Sequence, residues 1–149
     1  MDRPDGAAAV LERLLRALNE HDLDGMVACF ADDYVNETPT HPARGFRGNE
    51  QVRRNWSQIF AGVPDIHARI LRTDIAGDTA WTEWEMAGTR VDGLAFLMGG
   101  VVIFGIRDDV IASARFYLEP VEDTSGDVDV HTVRVAGEAD LPEPAGVTA

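Results

Sequence analysis

The chain contains no lysine; all thirteen of its basic residues are arginine. That absence excludes a lysine Schiff base and a Walker-type phosphate loop, since both depend on the lysine amine. Cysteine occurs once, at Cys29, so no internal disulfide can form. Placed on an apolar helical face, Cys29 reads as a small core residue rather than a nucleophile. Positive charge is scarce as a whole. Thirteen arginines against 26 acids leave a net charge of −13. This speaks against nucleic acid and anionic membrane surfaces as partners, because phosphate recognition needs a basic face. From Glu119 onward eight acids stand against Arg134 alone, a local balance of −7, so the rest of the chain is only mildly acidic. Long apolar runs are also missing. The stretch from Leu94 to Ile106 is interrupted by Gly99, Gly100 and Gly105, and it falls short of the roughly 20 residues that cross a bilayer as a helix. No charged-then-apolar leader follows Met1, so the expected location is the cytoplasm. The histidines have no ligand-like spacing to a second histidine or cysteine, and no metal or cofactor is expected.

What is present is an order of elements. Val10, Leu11, Leu14, Leu15 and Leu18 recur at three- and four-residue spacing, which predicts a helix over Ala7 to Asn19. Asp22 is placed to cap a second helix that buries Met26, Val27 and Phe30. Tyr34 to Thr38 reads as short and extended, and Thr40 to Gly48, with one proline and two glycines, as a loop. Asn49 is expected to cap a third helix through Phe60, with Val52, Trp56, Ile59 and Phe60 on its apolar face. Four strands follow: Ile66 to Ile75, Thr79 to Arg90, Leu94 to Arg107 and Val110 to Glu119. They are separated by the turn signals Gly77-Asp78, Asp92-Gly93 and Asp108-Asp109. Helices grouped ahead of an antiparallel meander describe an α+β domain over residues 1–122, with a pocket where the sheet curls around its helices. Residues 123–149 form an acidic tail, with a short added strand over Val128 to Val135 and fraying beyond Ala139 as the expectation.

Alternation picks out polar groups on buried faces. Tyr34, Asn36 and Thr38 share one face of an extended segment, and three such groups converging in an apolar cavity would orient a small ligand. Thr82, Trp84 and Met86 share one face of their strand, and Glu83 and Glu85 the other. Ala114, Phe116 and Leu118 are likewise opposed to Arg115, Tyr117 and Glu119. Outward glutamates are favoured, because two buried carboxylates without partners are costly; Arg115 is then expected to pair with Glu83 or Glu85 across strands. His41, in the loop beside Pro42 and Arg44, is the residue best placed to titrate near a pocket mouth, although a solvated loop histidine is the simpler reading.

Three motifs carry a family resemblance. They are Ala17 to Gly25 (ALNEHDLDG), Phe30-Ala31-Asp32-Asp33 and Arg44-Gly45-Phe46-Arg47-Gly48, with Ile103 to Asp108 ahead of the last strand. Together the chain resembles nuclear transport factor 2-like proteins over about residues 7 to 122, and within them the ketosteroid isomerase and SnoaL-like polyketide cyclase branch. The resemblance implies a cone of strongly curved antiparallel sheet closed by three N-terminal helices. The pocket would open on the concave face, which carries Trp84, and a homodimer would form through the outer face. Family chemistry does not transfer whole. Where ketosteroid isomerases carry their aspartate base this chain has Thr38, followed by Pro39; Leu14 stands where they carry a tyrosine, and Gly93 to Ile106 holds no acid. Tyr34-Val35-Asn36 matches the water-holding pair of limonene-type epoxide hydrolases, but Trp84, Met86 and Phe116 occupy their charged positions.

These observations predict a small-molecule pocket protein. The enzymatic reading is a cofactor-free isomerase, cyclase or hydrolase acting on an apolar metabolite, with Tyr34, Asn36 and His41 catalytic and Thr38, Trp56, Trp84, Met86 and Phe116 binding substrate. The alternative is a non-catalytic ligand-binding or dimerisation module.

Overall fold

The computed structural model describes residues 6–122 and 126–137. Helix α1 (Ala7–Asn19) buries Val10, Leu11, Leu14 and Leu18 along one stripe, each contributing about 1.5–3 kcal/mol by leaving water. Asp22 accepts from the Gly25 amide at 3.0 Å and starts α2 (Leu23–Ala28). The turn between the two helices holds the sheet. Asn19 Nδ2 donates to the Ala68 carbonyl at 2.9 Å, and its Oδ1 accepts from the Ala68 amide at 2.7 Å. His21 reaches the Ile66 carbonyl at 2.7 Å and stacks on Phe60.

Strand β1 (Phe30–Glu37) is followed by a 3-10 turn (Pro42–Arg44), β2 (Phe46–Arg47) and α3 (Asn49–Gly62). Then come β3 (His67–Ala76), β4 (Thr79–Thr89), β5 (Ala95–Arg107) and β6 (Val110–Pro120). They form one six-stranded sheet in the order β2-β1-β6-β5-β4-β3. The fold is α+β, as the element order predicts. Register shifts between Ile70 and Arg72 and between Gly105 and Ile106 let the sheet bend. The concave face carries Thr82, Trp84 and Met86 from β4 and Val102 and Phe104 from β5, all buried. No helix among the described residues is long and apolar enough to cross a membrane.

Five expectations change. Phe30 opens β1 rather than closing α2, because the helix stops at Ala28. The 40–48 segment contains a 3-10 turn and a short strand, not only loop. Asn49 is the first residue of α3, whose cap position is Gly48; its side chain reaches back to the Phe30 carbonyl and Asp32 at 3.4 Å. The sheet is not wholly antiparallel, since β1 runs parallel to β6. Val128 to Ala136 is a helix, α4, started by Asp127 accepting from the Asp129 amide at 2.8 Å; the valine spacing misled because alternation over so few residues also fits a solvated helix. The segment beyond Ala139 lies outside the described residues.

Glu83 and Glu85 do face outward. Arg115, however, pairs with Glu37 at 3.1 Å, and Glu85 with Arg69 at 2.8 Å. Strand β5 separates β4 from β6, so an Arg115–Glu85 pair has no adjacent register to occupy.

Candidate functional site

Strand alternation turns Tyr34, Asn36 and Thr38 inward together, and all three are buried. Past Thr38 the chain folds back. The His41 amide donates to the Thr38 carbonyl, Arg44 to His41, and the Gly48 amide to the Tyr34 carbonyl at 2.7 Å. This return sets Phe46 opposite Asn36. Gly45 passes so close that a Cβ would stand 3.1 Å from the Asn36 carbonyl oxygen. Helix α3 adds Val52, Asn55, Trp56 and Ile59, one face at helical spacing. Strands β4, β5 and β6 supply Met86, Met98 and Phe116. These elements line a half-open cavity of about 330 Å³ with mainly apolar walls, a volume suited to a small metabolite.

Tyr34 is 1% exposed, wedged edge-on between Phe30 and Phe46, and its hydroxyl donates to Asn36 Oδ1 at 2.8 Å. Burial pushes the phenol well above the usual tyrosine range, because the phenolate would lose its hydration. Tyr34 is therefore a hydrogen-bond donor and not a base. Its bond takes the Asn36 oxygen and leaves the Asn36 amide nitrogen for another partner.

Six of the eight residues expected at a site line this cavity: Tyr34, Asn36, Thr38, Trp56, Met86 and Phe116. The other two lie apart from it. Trp84 is 2% exposed within the core, one strand step deeper than Met86; its indole donates to Thr82 Oγ1 at 2.7 Å, and Thr82 donates to the Val102 carbonyl at 2.7 Å. It belongs to the cluster formed with the α1 leucines, so that level of the cone is filled by protein. His41 stands 2.7 Å from Glu119 Oε1 at the end of β6, because the 3-10 turn carries it away from Tyr34. Arg44 and Asn55 line the cavity without having been singled out by the sequence. Asn55 was visible in principle as the polar member of the 52-56-59 stripe; Arg44 lies in an aperiodic loop and stood out only as the first residue of the Arg44 to Gly48 motif. Among the described residues no carboxylate, histidine or cysteine lines the cavity, and no three His, Cys, Asp or Glu side chains gather as a metal site would require.

A model of the SnoaL-like domain family matches residues 11–114. Among solved structures, a putative isomerase from Bacillus subtilis superposes with a TM-score of 0.69 at 17% identity, covering 80% of this chain and 90% of that one. An LEH-like epoxide hydrolase from Mycobacterium tuberculosis gives 0.64 at 24% identity, over 74% and 80%. A further Mycobacterium tuberculosis protein, solved in complex with estradiol-17β-hemisuccinate, gives 0.65 at 20% identity, over 74% and 92%. At these identities the likeness establishes the fold.

Proposed function

Since this chain belongs to the SnoaL-like domain family of the nuclear transport factor 2-like superfamily, we propose that its cavity binds a small, mainly apolar metabolite and acts on it without a cofactor. The reaction classes are isomerisation, cyclisation or hydrolysis. One observation carries the proposal: an apolar cavity with the Tyr34–Asn36 pair in its wall. Tyr34 fixes the Asn36 amide, whose N–H groups meet an oxygen of the ligand, and Thr38 adds a hydroxyl. Negative charge building on that oxygen is stabilised by donors that need no reorganisation. Trp56, Met86 and Phe116 orient the apolar part. His41 works at the rim, where its bond to Glu119 holds the 38–48 segment against β6.

The second reading, a binding module without turnover, is favoured by the lack of any carboxylate, histidine or cysteine among the described lining residues. A panel of apolar ketones, epoxides and carboxylic acids separates the two, read by saturable shifts of the Met86 and Met98 methyl resonances and by product analysis. Saturable shifts with product support the enzyme; shifts alone support the module; no saturable shift for any compound rejects both. In the enzymatic case Tyr34→Phe should lower turnover about tenfold, the order of one buried hydrogen bond. Unchanged turnover would remove Tyr34 from the mechanism.

We also assign the outer sheet face to a second copy of the chain. Trp81 is 53% exposed there, with Leu97 and Tyr117 also exposed. The flanking Arg69–Glu85 and Arg115–Glu37 pairs carry both signs, which suits a self-complementary patch. Sedimentation velocity should give a dimer that Trp81→Glu converts to monomer; a wild-type monomer at high micromolar concentration contradicts the assignment.

A further inference from the structure

The polar groups of the cavity are not a random mixture. On α3, an Arg54 guanidinium N–H donates to Gln51 Oε1 at 2.6 Å. A guanidinium has no acceptor, so this contact fixes which end of the Gln51 amide is oxygen. The Gln51 nitrogen then donates to Asn55 Oδ1 at 2.7 Å. The Asn55 oxygen is therefore engaged within the protein, whereas its NH₂ group has no partner among the described residues and is the unused end of the side chain. The same logic holds at β1. The buried Tyr34 hydroxyl has no acceptor other than Asn36 Oδ1 among the described residues, so Asn36 too is left with its NH₂. In both amides the acceptor is engaged within the protein and the donor is not.

Arg44 completes the set. It lines the cavity and has no ion pair or side-chain hydrogen bond among the described residues. Arg53, Arg69, Arg90, Arg107 and Arg115, by contrast, each hold a carboxylate. In a chain of net charge −13, a cavity lined by an arginine and no acid is a local reversal of sign. A neutral alcohol or amine can accept from these donors but also brings hydrogens that they cannot accept. A group that only accepts satisfies them, and charge-assisted bonds of this kind are roughly twice as strong as neutral ones.

We propose that the cavity selects apolar metabolites that carry a carboxylate, held by Arg44 and by the amide nitrogens of Asn55 and Asn36, with Arg54 acting from outside the cavity as the residue that sets the orientation of Asn55. The proposal rests on the cavity being a ligand site and adds the class of ligand. Its polarity has a second source, since a cation at the head of the Arg54–Gln51–Asn55 chain polarises each bond after it.

The test uses three probes of one shape: 4-phenylbutyrate, its primary amide and its methyl ester, titrated into the full chain at low ionic strength by calorimetry. The acid should bind about tenfold more tightly than the amide, the order expected for one charge-assisted contact. Arg44→Gln should bring the acid down to the affinity of the amide. Arg54→Met, remote from the cavity, should move the acid-to-amide ratio a few-fold toward the amide, because Gln51 and Asn55 are then free to turn over and offer an oxygen. A loss of packing alone would weaken all three probes equally and leave that ratio fixed. Equal affinity for acid and amide in the wild type overturns the proposal while leaving the cavity reading in place, as does an acid preference that survives Arg44→Gln. Failure of all three probes to bind overturns this proposal, and the cavity reading falls with it only if no compound of the wider panel binds either.

Discussion

Gly100→Ala should cost the fold about 3 kcal/mol or more, the largest effect expected from any single methyl group in this chain. Gly100 has φ of +145°, a conformation that side-chain-bearing residues rarely adopt and that alone costs on the order of 1–3 kcal/mol. Space is the second obstacle. A Cβ at this position would overlap the Tyr117 carbonyl oxygen and stand 2.9 Å from Leu118 Cα. Both obstacles are backbone of the partner strand, so relief means opening the β5–β6 pairing where Gly100 faces Leu118. Gly99→Ala is the matched control. There a Cβ meets the end of the Val121 side chain at 3.3 Å, which can move aside, and the Trp84 carbonyl oxygen at 3.9 Å, an ordinary contact. Urea unfolding of the two variants should separate them by several kcal/mol; a Gly100→Ala variant within about 0.5 kcal/mol of wild type, the ordinary range for a neutral surface change, contradicts this account. Leu118 also lines the cavity, so the close approach of β5 and β6 that Gly100 permits shapes the site as well as the sheet.

Trp84→Ala should destabilise by about 3–5 kcal/mol, the usual cost of removing a large aromatic side chain from a close-packed core. Trp84 stands edge-on to Phe104 with ring centroids 6.3 Å apart, and its N–H is satisfied by Thr82. Truncation leaves a void among side chains that cannot follow it. Thr82 keeps its bond to the Val102 carbonyl, so the penalty is one of packing and not of an orphaned polar group. Trp84→Phe keeps most of the volume and should cost clearly less. Denaturant midpoints measure both, and a loss under about 1 kcal/mol for Trp84→Ala would show that this level of the cone collapses or was never tightly filled. Had Trp84 been a ligand wall, as its strand face alone implied, the main effect would fall on binding.

The regular elements were legible because their periods are long and uninterrupted. The leucine stripe from Val10 to Leu18 and the meander from β3 to β6 agree with the pattern to within a residue or two. The inward set Tyr34, Asn36 and Thr38 was legible for the same reason. What escaped the sequence depends on partners remote along the chain. The pairing of Arg115 with Glu37 follows from β1 lying beside β6, which no local pattern encodes. Trp84 and Met86 share a face, yet only one reaches the cavity, because depth along the cone is set by how far α1 fills it. His41 and Arg44 occupy one aperiodic loop, and a single 3-10 turn sends one to Glu119 and the other to the cavity. The direction of an amide such as Asn55 is written only in a network of hydrogen bonds.

The parallel seam between β1 and β6 also orders events in time. Its partners, such as Asn36 and Ala114, lie far apart in the chain, and long loops must close before such a contact repays their lost entropy. The β3 to β6 meander can zip through neighbouring hairpins, whereas β1 has no long partner until β6 exists. On the ribosome the first third of the chain must therefore wait, one edge of β1 unprotected, until the last strand emerges. The cavity is consequently among the last features to form, and a nascent chain stalled before β6 has Tyr34, Asn36, Arg44 and Asn55 but no site.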